Sequence, residues 1–211
     1  MTPFETEQEA FWHGDFGNHY VDRNRGDKLI AANLAFLCKV ISRTQTLNTI
    51  IEFGSNIGLN LIALKQLLPD AKLSAVEINQ KAATELKKAL PAVDLHQTSI
   101  LTFQANKTWD LVLTRGVLIH IHPDKLPAVY DLMYQCAARY VLVAEYYNPE
   151  PVEIVYRGHT NKLYKRDFAG EMLARFPNLR LIDYGFLYRH DPNFPGEDSN
   201  WFLMEKRPTN C

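Results

Sequence analysis

Apolar residues recur along this chain with two periods, and the periods alternate. From Asp27 to Ser42 they fall at Leu29, Ile30, Leu34, Leu37, Val40 and Ile41, three or four apart, which predicts an amphipathic helix. Thr49 to Phe53 is instead a continuous β-branched run that suits a buried strand. Ile57 to Leu68 returns to helical spacing and is stopped by Pro69 and Asp70. The alternation then continues. A strand is expected at Lys72 to Val76, a helix at Asn79 to Leu90 closed by Pro91, a short strand at Asp94 to Gln97, and a strand WDLVLTR from Trp109. A helix from Asp124 to Arg139 runs into the strand YVLVAEYY, and another helix covers Asp167 to Phe176.

Strands and helices in this alternation imply an α/β fold, a mainly parallel sheet with helices on both faces. The last two apolar runs, LRLIDYGFLYR and SNWFLMEKR, have only a turn-rich loop between them and predict an antiparallel C-terminal hairpin at one side of the sheet. That makes about seven strands. Residues 1 to 25, aromatic and polar, read as an irregular or short-helical preface. We therefore expect one domain over 1–211: a helical lid or cap at 1–45, and a core at 46–211 with an acceptor-binding insertion around 146–168.

Composition narrows the classes. The 211 residues are 46% hydrophobic, enough for a substantial core. Lys plus Arg (23) nearly balance Asp plus Glu (24), so overall charge points to neither nucleic acid nor a membrane surface. The start, MTPFETEQEAFWHG, has no basic or long apolar leader, and the longest apolar run, Leu111 to Ile121, contains Arg115 and His120. Cys38, Cys136 and Cys211 are dispersed and odd in number, which suggests reduced thiols in a cytoplasm.

The candidate chemistry begins at TIIEFGSNIGLNL, Thr49 to Leu61. In an open α/β sheet, ligands bind beyond the carboxyl ends of the strands. Gly54 and Gly58, with Ser55 and Asn56 between them, form the turn from strand to helix, and Glu52 stands just before it. The spacing E-x-G-x-x-x-G departs from the dinucleotide pattern G-x-G-x-x-G, and the acid would repel a pyrophosphate. It suits an ammonium group, such as the methionine end of S-adenosyl-L-methionine (SAM). Glu77 ends the second strand, where a ribose diol would be held, and Ile78 would lie against an adenine face. Ser99 and Ile100 follow the third strand, at the adenine edge, and Thr114, Arg115 and Gly116 end the fourth.

Across Ile50 to Glu145 these elements resemble the class I SAM-dependent methyltransferases. The resemblance implies a Rossmann-like seven-stranded sheet with the last strand reversed, SAM as cofactor and S-adenosyl-L-homocysteine (SAH) as product. Typical members have a third glycine where Asn56 stands. A narrower resemblance spans nearly the whole chain. The blocks FWHGDFGNHYVDRN (Phe11 to Asn24), EFGSNIGLNL (Glu52 to Leu61), GVLIHIHPDKL (Gly116 to Leu126) and YRGHTNKLYKRDFA (Tyr156 to Ala169) look like the pseudaminic acid biosynthesis-associated methylase family. It implies methyl transfer in surface glycan assembly.

After the fifth strand, Tyr146, Tyr147, Tyr156, Arg157, His159, Lys162, Lys165 and Arg166 gather in one stretch. Arginine clamps carboxylates or phosphates through paired hydrogen bonds, so the expected partner is a small acidic acceptor, methylated on O or N, such as a nonulosonic-acid sugar or its precursor. A solvated basic face is the plainer explanation. Phe16, Gly17, Tyr20, Arg23 and Asn24 would fold over the site as a lid, or pack as an N-terminal arm. His120 and His159 are candidate bases, with Tyr146 a third candidate, though each histidine also fits a structural or orienting role. The HIHP segment has no clustered acids or cysteines, so no metal is expected. Other readings are a silent SAM-binding partner or a methyltransferase for another small carboxylate or amino-acid-derived metabolite. Glu52 disfavours an NAD oxidoreductase. An RNA methyltransferase would be expected to carry a basic excess or an N/D-P-P-Y/F tetrad, which this chain lacks.

Overall fold

The computed structural model describes residues 4–207, so Cys211 and the first three residues of the preface lie outside the described residues. The chain forms α1 (Glu7–His13), α2 (Asp15–Arg23), α3 (Asp27–Ile41), β1 (Thr49–Phe53), α4 (Leu59–Leu67), β2 (Lys72–Val76), α5 (Gln80–Ala89), β3 (Asp94–His96) and β4 (Trp109–Arg115). Then come α6 (Leu126–Cys136), β5 (Ala137–Glu145), β6 (Val152–Tyr156), β7 (His159–Lys165), α7 (Phe168–Arg175), β8 (Leu179–Leu187) and β9 (Ser199–Lys206).

Seven strands make one sheet in the order β3-β2-β1-β4-β5-β9-β8. The pairs from β3 to β5 are parallel, and β9 runs antiparallel to both β5 and β8. The expected C-terminal hairpin is therefore present at one side of the sheet. Alternate residues of each central strand feed two separate cores. Ile50, Leu111, Leu113 and Leu142 pack with Phe36, Leu37 and Val40 of α3, Leu61 and Leu64 of α4 and Leu86 of α5. Ile51, Val112, Val141 and Val143 face Leu126, Val129 and Met133 of α6, with Phe168 and Met172 of α7. Both faces of the sheet are thus covered. All of its parallel strands point their carboxyl ends to one edge, where α1 and α2 also lie.

Two expectations change. The helix read as Asp124 to Arg139 begins with a 3-10 turn, Pro123–Lys125, and ends at Cys136. Ala137 turns extended and pairs with Trp109, while Lys206 Nζ donates to the carbonyls of Tyr134 and Ala137 at 3.2 Å each, capping the helix end. The insertion at 146–168, read as a basic binding stretch, contains the antiparallel pair β6–β7 as a second, two-stranded sheet. Its two-residue loop is Arg157 (φ 49°) and Gly158 (φ 85°), the pair of positive φ angles of a type I′ turn.

Candidate active site

The loop from β1 to α4 is held open by backbone geometry. Gly54 (φ 71°) and Gly58 (φ 81°) are left-handed, and a Cβ on either would meet Val117 at 2.5 Å or Leu86 at 2.2 Å. The close approach at Gly58 is therefore to α5. Asn56 takes the left-handed conformation as well (φ 48°), which asparagine tolerates better than most residues. Its amide donates to Glu77 Oε2 at 2.6 Å, and the Asn79 amide donates to Glu77 Oε1 at 2.7 Å. Glu77 thereby ties the first loop to the end of β2. Burial raises the pKa of Glu77 and these amides oppose it.

The loop borders a cavity of about 180 Å³ at the carboxyl edge of the sheet. Glu52, Gly54, Ser55, Asn56, Glu77, Ile78, Ser99, Ile100, Arg115 and Gly116 line it. Gly58 does not; it shapes the loop from behind. Thr114 is fully buried within the sheet and is also absent from the lining.

Glu52 is buried, accepts from Asn60 Nδ2 at 2.6 Å through Oε1, and leaves Oε2 with no partner. Burial pushes its pKa up to about 8, against the hydrogen bond from Asn60 and the charge of Arg115. Arg115 donates to Asn60 Oδ1 at 3.0 Å and to Asn33 Oδ1, so α3, α4 and β4 are joined through one guanidinium. The loop after β4 is held similarly. Glu145 accepts from the amides of Val117 and Leu118 at 3.1 Å and Ile119 at 3.4 Å, while burial lifts its pKa to about 7.

His120 and Tyr20 also line the cavity. His120 Nδ1 lies 2.6 Å from the Lys162 carbonyl, which can only accept, so the proton sits on Nδ1 and Nε2 keeps its lone pair. Burial lowers the His120 pKa to about 4, so the ring is neutral at pH 7. The other expected catalytic and acceptor residues stand outside the lining. Tyr156 packs on His120 at 5.1 Å, and His159 is exposed against Phe11 at 5.0 Å. Lys165 lies over Tyr146 at 5.2 Å, Arg166 pairs with Glu171 at 2.7 Å, and Arg157 occupies the hairpin turn. Arg23 stands over Phe16 at 5.7 Å. Among the described residues, no group of three His, Cys, Asp or Glu is placed to hold a metal ion, and no helix is long and apolar enough to cross a membrane.

Sequence reading missed Gln8 and Trp12 of α1, Asn33, Asn60 and Glu197, all in the lining. Gln8 Oε1 and Trp12 Nε1 are buried without partners. Only Asn60 had a local signal, since it stands eight residues after Glu52 in the helix that follows the glycine loop.

No family model matches the chain, and neither does any curated protein. Solved structures do match its fold. Magnesium protoporphyrin IX methyltransferase from Synechocystis, with SAH bound, is 14% identical with a TM-score of 0.69, covering 97% of this chain and 100% of its own. The sugar N-methyltransferase KedS8 from a Streptoalloteichus species is 13% identical with a TM-score of 0.66, covering 93% and 94%. The SAM-bound amino pentose methyltransferase CalS10 from Micromonospora echinaspora is 11% identical with a TM-score of 0.63, covering 91% and 96%. The expected Rossmann-like methyltransferase fold is therefore observed. The narrower resemblance, to the pseudaminic acid-associated family, rests on the sequence blocks alone.

Proposed function

We propose that this chain is a cytoplasmic SAM-dependent methyltransferase acting on an oxygen or nitrogen of a small acidic acceptor, of the class of nonulosonic-acid sugars or their precursors. The observation that carries the reading is the unpartnered, buried Oε2 of Glu52 in a cavity at the carboxyl edge of a parallel sheet. A buried acceptor atom left single costs about 1–3 kcal/mol, and an ammonium group in the cavity would satisfy it. The same fit extends to Asn56, whose Nδ2 and Oδ1 are both buried without partners. The neighbours that act on a sugar and on an amino pentose support an acceptor of sugar size.

In this reading Glu52 and Asn56 hold the amino-acid end of the cofactor. Glu77 takes the ribose through lone pairs that the two amides leave free. Ile78, Ser99 and Ile100 border the adenine. When bound, SAM supplies a methyl group already activated by a sulfonium charge, so the protein contributes position more than activation. Trp12 and Tyr20 make α1 and α2 the cover that excludes water. The neutral His120 presents Nε2 as a hydrogen-bond acceptor that orients the acceptor. Among the described residues Arg23 and Arg157 have no ion-pair partner, and both stand against the aromatic group beside the cavity, where they suit an acid group.

Calorimetric titration with SAM, SAH and NAD tests this. Both adenosyl ligands should bind with NAD silent, and Glu52→Gln and Glu77→Ala should each weaken SAH at least tenfold. Unchanged affinity in Glu77→Ala removes the ribose role, and no adenosyl binding at all removes the function.

A further inference from the structure

Aromatic rings and one carboxylate converge where the cavity meets solvent. Trp12 lies edge-on to Tyr20 at 5.3 Å, His120 is 4.6 Å from Trp12, and Tyr156 is 5.1 Å from His120. Glu197, in the exposed loop between β8 and β9, joins the lining from the opposite side of the sequence. Its charge acts on both Tyr20 and Tyr146, so these two tyrosines and Glu197 share one neighbourhood. Burial and the Glu197 charge keep both phenols protonated; the Tyr146 pKa is pushed up to about 12.

Resting on the methyltransferase reading above, we infer that the acceptor presents an amine to this chamber, with Trp12 and Tyr20 as its aromatic wall, Tyr156 packed behind His120, and Glu197 as its counter-charge, so that methylation falls on nitrogen. Two separate arguments lead there. The first concerns recognition. Ring faces and a carboxylate attract a cation, and a hydroxyl gains nothing comparable from them. The second concerns chemistry. A hydroxyl must give up its proton to react, and no side chain of the wall takes one readily near neutral pH: His120 holds a proton only below about pH 4, and burial keeps the Tyr20 phenol protonated. A neutral amine already carries the lone pair it needs.

Glu197 draws the ammonium form to the mouth, where the amine gives its proton to bulk water. The amine's lone pair then forms the new N–C bond to the methyl of a sulfonium donor, and the departing sulfur keeps the electrons of the broken C–S bond. The methylammonium product holds the positive charge that the sulfonium lost and leaves past Glu197. Arg23 and Arg157 serve the other end of the acceptor, its acid group, so the two recognitions address one zwitterionic molecule.

The test titrates cyclohexylamine and cyclohexanol, two molecules of the same ring differing in the polar group, into SAH-loaded protein at pH 7. The amine should bind at least about tenfold more tightly, and Glu197→Gln should remove most of that advantage while SAH affinity stays as in the wild type. Equal affinities for amine and alcohol overturn the inference, as does an advantage kept intact in Glu197→Gln. The SAH titration, made first on the same samples, reports separately on the cofactor reading.

Discussion

In Glu52→Gln an amide replaces a carboxyl that burial holds protonated to about pH 8 in the folded protein, against 4.5 for an ordinary glutamate. Between those values the folded state binds a proton that the unfolded chain has lost. Stability must then fall as pH rises, by up to about 1.4 kcal/mol per pH unit for one proton. From pH 4.5 to 7 this amounts to roughly 3 kcal/mol of stability lost by the cofactor-free protein. Glutamine does not titrate, and its carbonyl still accepts from Asn60, so the variant should lack this component. The assay is urea unfolding of the ligand-free protein at pH 5, 6, 7 and 8. Wild type should lose stability faster than Glu52→Gln, with the difference between the two slopes approaching one proton. Glu145, whose pKa burial also raises, contributes alike to both proteins and cancels, whereas the charge of Glu77 is one of the causes that raise Glu52 and so belongs to the component the variant removes. If SAH places its ammonium on Oε2, binding at pH 7 should release close to one proton, measurable by calorimetry in two buffers of different ionisation enthalpy. Parallel unfolding slopes in wild type and variant would refute the account of Glu52 as a carboxyl stranded by burial.

Three further expectations concern the frame around the cavity. Glu145→Ala leaves the amides of Val117, Leu118 and Ile119 without their acceptor and should destabilise by about 2–4 kcal/mol in urea unfolding, whereas Glu145→Gln should lose markedly less. Gly58→Ala forces a Cβ onto a backbone at φ 81° and into Leu86, so a loss of at least about 1–2 kcal/mol is expected, together with weaker SAH binding measured by calorimetry. Leu111→Ala, at a fully buried position between the sheet and α3–α4, should cost about 2–5 kcal/mol by the same unfolding assay without changing the stoichiometry of ligand binding.

The parts of the molecule that sequence made legible are those specified by local rules. The bounds of β1, β2 and β4 match the apolar runs residue for residue, because strands buried on both faces leave no ambiguity of period. The meeting of the strand ends was equally readable. A parallel sheet brings its carboxyl ends together, so Glu52, Glu77, Ser99 and Arg115 had to converge. The hairpin β6–β7 escaped because Val152, Ile154 and Val155 of its first strand are exposed rather than core-facing, and the Arg, His and Lys around its turn read as a binding stretch. Its signal was present in the β-branched and aromatic residues of VEIVY and the Arg157–Gly158 pair, whose positive φ angles demand a primed turn. Gln8, Trp12, Asn33 and Glu197 could not be found in this way. They come from three distant segments, and only the packing of α1–α3 and the β8–β9 loop brings them to one cavity.

That packing is itself uneven, and the unevenness bears on how the cavity opens. Among the described residues one small apolar cluster, Val21 with Ile57, Ala82 and Leu59, joins α2 to the core. Ring contacts of Trp12 with His120 at 4.6 Å, Phe11 with His159 at 5.0 Å and Phe16 with Tyr156 at 5.7 Å add to it, and the other attachments are polar. Asn79 Nδ2 donates to the Trp12 and His13 carbonyls and to Asn18 Oδ1, each at 3.1 Å; Gln8 Nε2 donates to the Asn161 carbonyl; and Lys81 pairs with Asp22 in solvent. Exposed ion pairs contribute little, so α1 and α2 are released at far lower free energy than the sheet. Asn79→Ser separates the two roles of that side chain. Serine can still cap α5, as Asn79 Oδ1 does by accepting from the Ala82 amide, but it cannot reach the end of α1. With roughly 1–2 kcal/mol of hydrogen bonding removed from the cover, amides of α1 and α2 should exchange with deuterium about tenfold faster. Those of β1, β4 and β5 should keep their protection. Uniformly faster exchange would mean that the cover and the sheet unfold as one unit, and unchanged exchange that the Val21 cluster and the ring contacts of Phe11 and Trp12 hold the cover down without Asn79.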